Sequence, residues 1–466
     1  MRRPNILVLH TDQQRWDTLH ANGNTHIKTP NLDRLADRSV NFSHCFVQNP
    51  VCMPSRLSLL TGQYCSSLGI THMGVPVPEE TETLPTILGR AGYHRALIGK
   101  LHFLPHANRD HRSLHPAYDF DHMELSDEPG CYEDAYRAWV RRKAPEWLNS
   151  ISVGLPPLAA VWQKSMSVPD AIHHGNRERM AAQPFGGPSD LTHTAFVGEQ
   201  TIEYLRQRSA TPFFCFSGFY SPHSPWVVPQ EYLDLYSEVE LPMPPVTNEP
   251  GEKTQYSLPE SIASIVQGYY AMISEVDHWV GRILDSLDEC GLAENTIVVF
   301  TSDHGEWLGE HGRFGKGYWA PDVVSRVPLV VYVPEQLGGV NGDAVSEIVE
   351  CVDVVPTLLQ LAGLQIPPMV QGDVLPVLAK PGPPTSSDDG LGLTEHHGWK
   401  SLRGDGFRYV MEEDGSERYY DLASDPREYR NVADQPAYQA SVAEARRLLL
   451  QRMLRIESPI AREWPY

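Results

Sequence analysis

The stretch Val51-Cys52-Met53-Pro54-Ser55-Arg56-Leu57-Ser58-Leu59-Leu60-Thr61-Gly62 joins a thiol and a guanidinium to the start of a helix. Pro54 has no backbone N–H to donate and suits a first helical turn; Arg56 to Leu60 are good helix formers, and Thr61-Gly62 supplies a stop. Cys52 is therefore expected just ahead of a helix, where free N–H groups and the positive end of the dipole favour an anion. A nucleophile there is suited to attack an anionic ester. A lone Cys in that place more commonly packs as a small hydrophobe, so the neighbouring chemistry has to decide. Asp12-Gln13 and Asp303-His304 offer two carboxylates, an amide oxygen and an imidazole. Mostly oxygen ligands suit Ca²⁺, Mg²⁺ or Mn²⁺, and one nitrogen raises the case for Mn²⁺. An Asp at a strand end is also a common helix cap, so Asp12 alone decides nothing.

Several of these strings carry a family resemblance. Cys52-x-Pro54-Ser55-Arg56 followed by Leu60-Thr61-Gly62 resembles the signature of the type I sulfatases, a branch of the alkaline phosphatase superfamily. Gly92-Tyr93 through Gly99-Lys100-Leu101-His102 resembles that family's second signature. Asp303-His304-Gly305-Glu306, Gly309-Glu310-His311-Gly312 and Gly315-Lys316-Gly317 resemble its second metal-binding segment and its sulfate-contacting Lys. The resemblance implies an arylsulfatase-like sulfuric ester hydrolase acting on an aryl or carbohydrate-type sulfate. It implies that a formylglycine-generating enzyme oxidises Cys52 to formylglycine, an aldehyde. It further implies one divalent ion, Ca²⁺ first and Mn²⁺ or Mg²⁺ as alternatives, held by Asp12, Gln13, the modified Cys52, Asp303 and His304. By the same resemblance Arg56 holds the formylglycine, Lys100 and Lys316 hold the sulfate, and His223 protonates the leaving alcohol. Asp303 helps ionise the attacking hydroxyl, and His102 takes the proton of the second one.

The commonest sulfatase pattern has Asp-Asp and Asp-Asn where this chain has Asp12-Gln13 and Asp303-His304. Those variants resemble the bacterial phosphonate monoester hydrolase branch, whereas Lys100 and His102 match the sulfatase branch. Hydrolysis of phosphonate monoesters or phosphodiesters is thus the alternative, and an unmodified, catalytically silent binding protein is a rival of another class. Plainer readings exist for single residues. Arg56 could be a surface residue, His223 between two prolines a structural one, and Lys316 part of a turn; Trp226, Trp307 and Trp319 could line a pocket or simply pack.

The composition is compatible with an enzyme. At 466 residues, 41% hydrophobic and 21% charged, the chain can bury a large core. A formal charge of −21 argues against nucleic acid or an anionic membrane as partner. It also requires a locally positive site if the substrate is a sulfate ester. The seven Cys show no disulfide framework or zinc spacing and read as mostly reduced and buried. Ile6 to Leu9 after Met1-Arg2-Arg3 is too short for a signal peptide, so a cytoplasmic location is expected.

The elements that must position these residues alternate. Strands are expected at Asn5–His10, Tyr93–Gly99, Pro212–Gly218, Thr296–Phe300 and Val327–Val333. Helices are expected at Thr29–Ala36, Thr83–Ala91, Ala135–Arg142, Thr194–Arg208, Ser261–Cys290 and Val352–Ala362. Tyr118–Phe120 reads as a further short strand. The pattern is that of an α/β fold, a large mostly parallel sheet with helices on both faces. Asp12, Lys100, His223 and Asp303 each follow an expected strand, which gathers them at the carboxyl edge where open α/β folds bind ligands. Residues 1–385 read as the catalytic domain, with 105–190 an irregular insertion shaping the pocket and its histidines as surface residues. A Pro/Ser/Asp/Gly-rich linker at 381–390 leads to a C-terminal α+β subdomain, 386–466, of short antiparallel strands and a final helix at Gln439–Leu454. Tyr420-Asp421-Leu422…Asp425-Pro426 resembles the corresponding part of sulfatases. A homo-dimer or tetramer is compatible with the insertion.

Overall fold

The computed structural model describes residues 3–106, 114–154, 180–208, 211–245, 259–340, 342–378 and 390–457. Asn5–Thr11 (β1) is buried along its whole length, and its side chains alternate between two cores. Ile6 and Val8 enter one core; Leu7 and Leu9 enter the other. A strand covered on both faces needs such a continuous apolar run. Pro30–Ala36 (α1), Val40–Phe46 (β2), Cys52–Thr61 (α2), Leu84–Arg90 (α3), His94–Gly99 (β3) and His122–Leu125 (β4) follow. Next come Ala135–Lys143 (α4), His193–Arg206 (α5), Phe213–Gly218 (β5), Pro259–Glu289 (α6), Thr296–Ser302 (β6), Arg326–Tyr332 (β7), Ala344–Glu350 (β8) and Val354–Leu361 (α7).

These strands form one eight-stranded sheet in the order β8-β2-β7-β6-β1-β5-β3-β4. All its pairings are parallel except those of β7, which runs opposite to β6 and β2. One face is covered by α2, α3 and α7, the other by α1, α4, α5 and α6. The expected mostly parallel sheet with helices on both faces is the observed one. No helix among the described residues is long and apolar enough to cross a membrane.

Besides β4, two strands of this sheet carry no mark in the sequence, and each of those two contains a register shift. In β2 the shift falls between Phe42 and Cys45, breaking the apolar alternation on which recognition depends. β8 shifts between Val345 and Ile348 and is an edge strand with several exposed positions. Tyr118–Phe120 is a turn, not a strand: Tyr118 and Asp119 take positive φ (43° and 61°), and the strand begins at His122.

A second sheet, Gly392–His396 (β9), Trp399–Gly404 (β10), Phe407–Glu412 (β11) and Glu417–Asp421 (β12), is antiparallel throughout. Gln439–Ile456 (α8) packs on it. Its first strand is stitched to the segment leading into α2. Glu395 N–H donates to Gln48 O (2.8 Å), and Asn49 Nδ2 donates to Glu395 O (2.7 Å). Thr394 Oγ1 donates to Val47 O (2.7 Å). The C-terminal sheet thus braces the approach to Cys52. The expected boundary at 385/386 and residues 381–389 of the linker lie outside the described residues, as do 107–113 and 155–179 of the insertion.

One close approach sets the edge where ligands would bind. Gly99 (φ 87°) ends β3 beside Gly218, and a Cβ on Gly99 would lie 2.1 Å from Gly218 O. A Cβ on Gly218 would lie 2.1 Å from Lys100 O. Both contacts are with rigid backbone, so the strand ends must part if either glycine gains a side chain. Gly99→Ala is expected to cost roughly 3 kcal/mol, from strain plus the clash, measured by urea unfolding.

Candidate active site

At the carboxyl ends of β1 and β6, Asp12 and Asp303 face each other across the Arg56 guanidinium, all three fully buried. Arg56 Nε donates to Asp303 Oδ2 (2.7 Å), Nη2 to Asp12 Oδ2 (3.1 Å) and Nη1 to Lys100 O (3.0 Å). Its fork therefore joins the two carboxylates. Burial alone would raise the Asp12 carboxyl, but Lys100, His223 and Arg56 hold it well below the usual range. Lys100 Nζ sits 2.9 Å from Asp12 Oδ2. Burial opposes the Lys100 charge, yet Asp12 and Glu128 more than offset it and keep the ammonium protonated.

The inner oxygens turn toward Cys52. The helix α2 begins at Cys52 itself rather than just after it, and its N-cap Val51 has no side-chain capping bond. Cys52 Sγ lies 3.7 Å from Asp12 Oδ1, 3.2 Å from His304 Nε2 and 2.6 Å from Lys316 Nζ. Burial, then Asp12, pushes the Cys52 thiol up to about 12 against the pull of Lys316, so it is protonated at neutral pH. Ligand atoms of Asp12, Cys52, Asp303 and His304 all lie within 4.8 Å of one another.

These residues fit a divalent ion on four counts. His304 Nδ1 donates to Gly305 O (2.8 Å), which puts its proton there and leaves the Nε2 lone pair facing the cluster. Burial lowers the His304 pKa to about 4, keeping it a neutral ligand. Gln13 Nε2 donates to Glu306 Oε2, while the buried Gln13 Oε1 has no hydrogen-bond partner among the described residues. Gln13 also takes a left-handed backbone (φ 69°), strain of about 1 kcal/mol or more that a side chain serving the site would justify.

Of the sequence-identified residues, Asp12, Gln13, Cys52, Arg56, Lys100, His223, Asp303, His304 and Lys316 form one contiguous constellation. Lys316 Nζ is 3.0 Å from His223 Nε2. His223 Nδ1 is 2.6 Å from Ser224 O and must donate to it. Burial, then Lys316, lowers the His223 pKa to about 3. His102 lies one layer away, with a left-handed backbone (φ 58°) and its ring 4.2 Å from that of His106. Neither ring nitrogen of His102 has a hydrogen-bond partner among the described residues.

The sequence reading put His106 on the surface, but it is buried and 3.1 Å from Glu128 Oε1. Glu306, whose role its motif does not reveal, fixes the Gln13 amide and accepts from Leu308 N–H (3.0 Å). Trp307 and Trp319 pack with Tyr420 behind the Lys316 loop, and Trp226 packs in a separate core, as plain packing residues.

Comparison with known proteins agrees with this geometry. The family model named Sulfatase matches residues 4–364. The chain belongs to the sulfatase family. This sulfatase is 30% identical over 483 residues to the arylsulfatase of Clostridium perfringens (strain 13 / Type A), covering 97% of this chain and 94% of that one. It is 29% identical over 509 residues to a multifunctional alkaline phosphatase superfamily protein of Trinickia caryophylli, covering 95% and 94%. Its fold is similar to that of the phosphonate monoester hydrolase of Agrobacterium radiobacter, with a TM-score of 0.82, 26% identity and coverage of 98% and 97%. It is an alkaline phosphatase-like fold, and the enzyme is a sulfuric ester hydrolase by family.

A divalent ion held by this cluster would stabilise the fold. After treatment with EDTA, adding Ca²⁺, Mn²⁺ or Mg²⁺ at 100 times its Kd should stabilise the protein by about 2.7 kcal/mol, read as a rise in Tm. Asp303→Asn should abolish the rise. Melting that is the same with and without every ion would contradict the assignment.

Proposed function

We propose that this sulfatase hydrolyses an organic sulfate ester, aryl or carbohydrate-type, at a centre built from Cys52 as formylglycine and one divalent ion, Ca²⁺ first. The observation that carries this reading is the convergence of Asp12, Cys52, Asp303 and His304 in one buried cluster, with the Lys316 ammonium against the residue-52 side chain. The ion, when bound, supplies positive charge against the sulfate oxygens and favours the ionised form of a neighbouring hydroxyl. Formylglycine as its hydrate supplies two hydroxyls on one carbon, one to attack sulfur and one whose ionisation expels sulfate and restores the aldehyde.

The remaining work falls to the chain's own side chains. Lys100 and Lys316 bind the sulfate oxygens and offset the charge that grows on them in the transition state. Asp12 Oδ1, 3.7 Å from Cys52 Sγ, is the carboxylate oxygen in contact with the attacking position. Arg56 takes up Oδ2 of Asp303 and of Asp12 alike, so each acid offers its Oδ1 to the ion or to the attacking hydroxyl. His223 is neutral in the free site, with its proton on Nδ1, and accepts from Lys316 at Nε2. Once Lys316 turns to the sulfate oxygens, Nε2 of His223 is left to bind a proton and pass it to the leaving oxygen. Burial, then His106, keeps His102 neutral, so its one unprotonated ring nitrogen can take the proton of the second hydroxyl.

Cys52 is wholly inaccessible, so a formylglycine-generating enzyme must reach it before this segment folds. We place that maturation in the cytoplasm. Gln13 and His304 at the two metal pairs, together with the likeness to a phosphonate monoester hydrolase, favour phosphonate monoesters or phosphodiesters as second substrates of the same site.

Cys52→Ala and Cys52→Ser should abolish turnover of 4-nitrophenyl sulfate and leave the far-UV circular dichroism unchanged. Wild-type turnover in Cys52→Ala would remove the mechanism. Mass spectrometry of the peptide spanning residue 52 should show aldehyde; thiol alone in active protein would refute the maturation step. Rates on 4-nitrophenyl sulfate and a phenyl phosphonate ester, side by side, should favour the sulfate, and a higher kcat/KM on the phosphonate would reverse the assignment.

A further inference from the structure

The edge strand β4 runs parallel to β3 in the register Ala96↔His122, Leu97↔Met123, Ile98↔Glu124 and Gly99↔Leu125. Extending that register sets Ser126, Asp127 and Glu128 alongside Lys100, Leu101 and His102. The contacts follow it. Ser126 N–H donates to Gly99 O (3.0 Å), closing the strand pair. Asp127 Oδ1 accepts from the N–H groups of both Leu101 (3.0 Å) and His102 (2.9 Å). Glu128 Oε1 lies 3.5 Å from Lys100 Nζ and 3.1 Å from His106 Nε2. The His106 ring in turn lies against His102, between it and Tyr132.

All of these side chains are buried, Asp127 at 5% and Glu128 at 3% exposure. Two buried carboxylates are costly unless they hold something in place. Asp12, the other anion beside Lys100, belongs to the metal cluster, where an ion would compete for its lone pairs. Glu128 is then the carboxylate that fixes Lys100. His102 needs support as well, because its left-handed backbone is unfavourable for a non-glycine residue, and the paired N–H bonds to Asp127 hold it there.

We infer that Asp127 and Glu128 are positioning residues for the sulfate end of the site. Asp127 clamps the backbone that aims His102, and Glu128 fixes Lys100. The inference rests on the roles given above to Lys100 and His102, and it adds two acids that neither the sequence motifs nor the metal cluster contain.

The sign of one substitution separates positioning from plain electrostatics. Glu128→Gln deletes a negative charge near an anion site, which by Coulomb's law alone would tighten sulfate ester binding and leave or raise the rate. Positioning predicts the opposite: kcat on 4-nitrophenyl sulfate falls about 10²-fold and KM rises, as misplacement of a binding group by ~1 Å can do. Combined with Lys100→Met, Glu128→Gln should add little further loss, because it acts through the lysine. Asp127→Ala should lower kcat, and Asp127→Asn, which keeps an acceptor oxygen, should restore most of it.

Wild-type kcat in Glu128→Gln, or losses that multiply in the double variant, would overturn the inference. So would an Asp127→Asn as impaired as Asp127→Ala. Sulfate titrated into Cys52→Ala protein reads the same contact without turnover. Glu128→Gln in that background should weaken sulfate binding about tenfold if Lys100 is displaced, and tighter binding would refute it. A wild-type enzyme inactive on the sulfate ester would instead count against the proposed substrate, with the titration still deciding the role of Glu128.

Discussion

Two carboxylates drawn from opposite ends of the chain, Asp12 and Asp303, are held together out of water by the single guanidinium of Arg56. Buried side by side without it they would repel each other and take up protons. Removing one partner of such a buried ion group costs about 3–5 kcal/mol. Because Arg56 occupies their outer oxygens, the inner ones face Cys52 and His304, Asp303 Oδ1 also accepting from Gln13 N–H (2.9 Å). The same arrangement resolves the charge problem of a −21 chain acting on an anion. Around the centre Arg56, Lys100 and Lys316 balance Asp12, Asp303 and Glu128, so a divalent ion leaves the site with net positive charge.

The sheet makes this possible by bringing strand ends to one edge. β6, β1, β5 and β3 are adjacent and parallel, so the residues following them converge although they lie near positions 12, 100, 223 and 303. The glycine pair at positions 99 and 218 lets two of those ends approach more closely than residues with side chains would allow. From the other direction, β9 ties the C-terminal sheet to the residues before Cys52, so the start of α2 is fixed from both sides.

Much of this was legible in the sequence, for physical reasons that can be stated. β1 and β6 are uninterrupted apolar runs ending in polar residues, and a strand buried on both faces leaves that trace. The α2 signals at Pro54 and Gly62 placed Cys52 to within one residue. The parts that escaped lack a local signature. β2 and β8 break their alternation at a register shift, and β4 is a four-residue strand of half-buried positions that left no periodic trace in a segment read as irregular. Since β4 went unseen, so did Asp127 and Glu128, whose importance depends on a register no spacing rule supplies. His106 looked like a loop histidine because its partners, Glu128 and His102, are brought to it only by folding. That the Arg56 fork reaches two carboxylates was likewise a matter of tertiary placement.

The proposed chemistry requires one divalent ion between the inner oxygens of Asp12 and Asp303. A crystal structure of the mature enzyme, with anomalous scattering recorded for Mn²⁺ exchanged into the site, tests this most directly. One strong peak per chain is expected within bonding distance of Asp12 Oδ1, Asp303 Oδ1, His304 Nε2 and Gln13 Oε1. A peak elsewhere, or none while the two carboxylates still share Arg56, would contradict it.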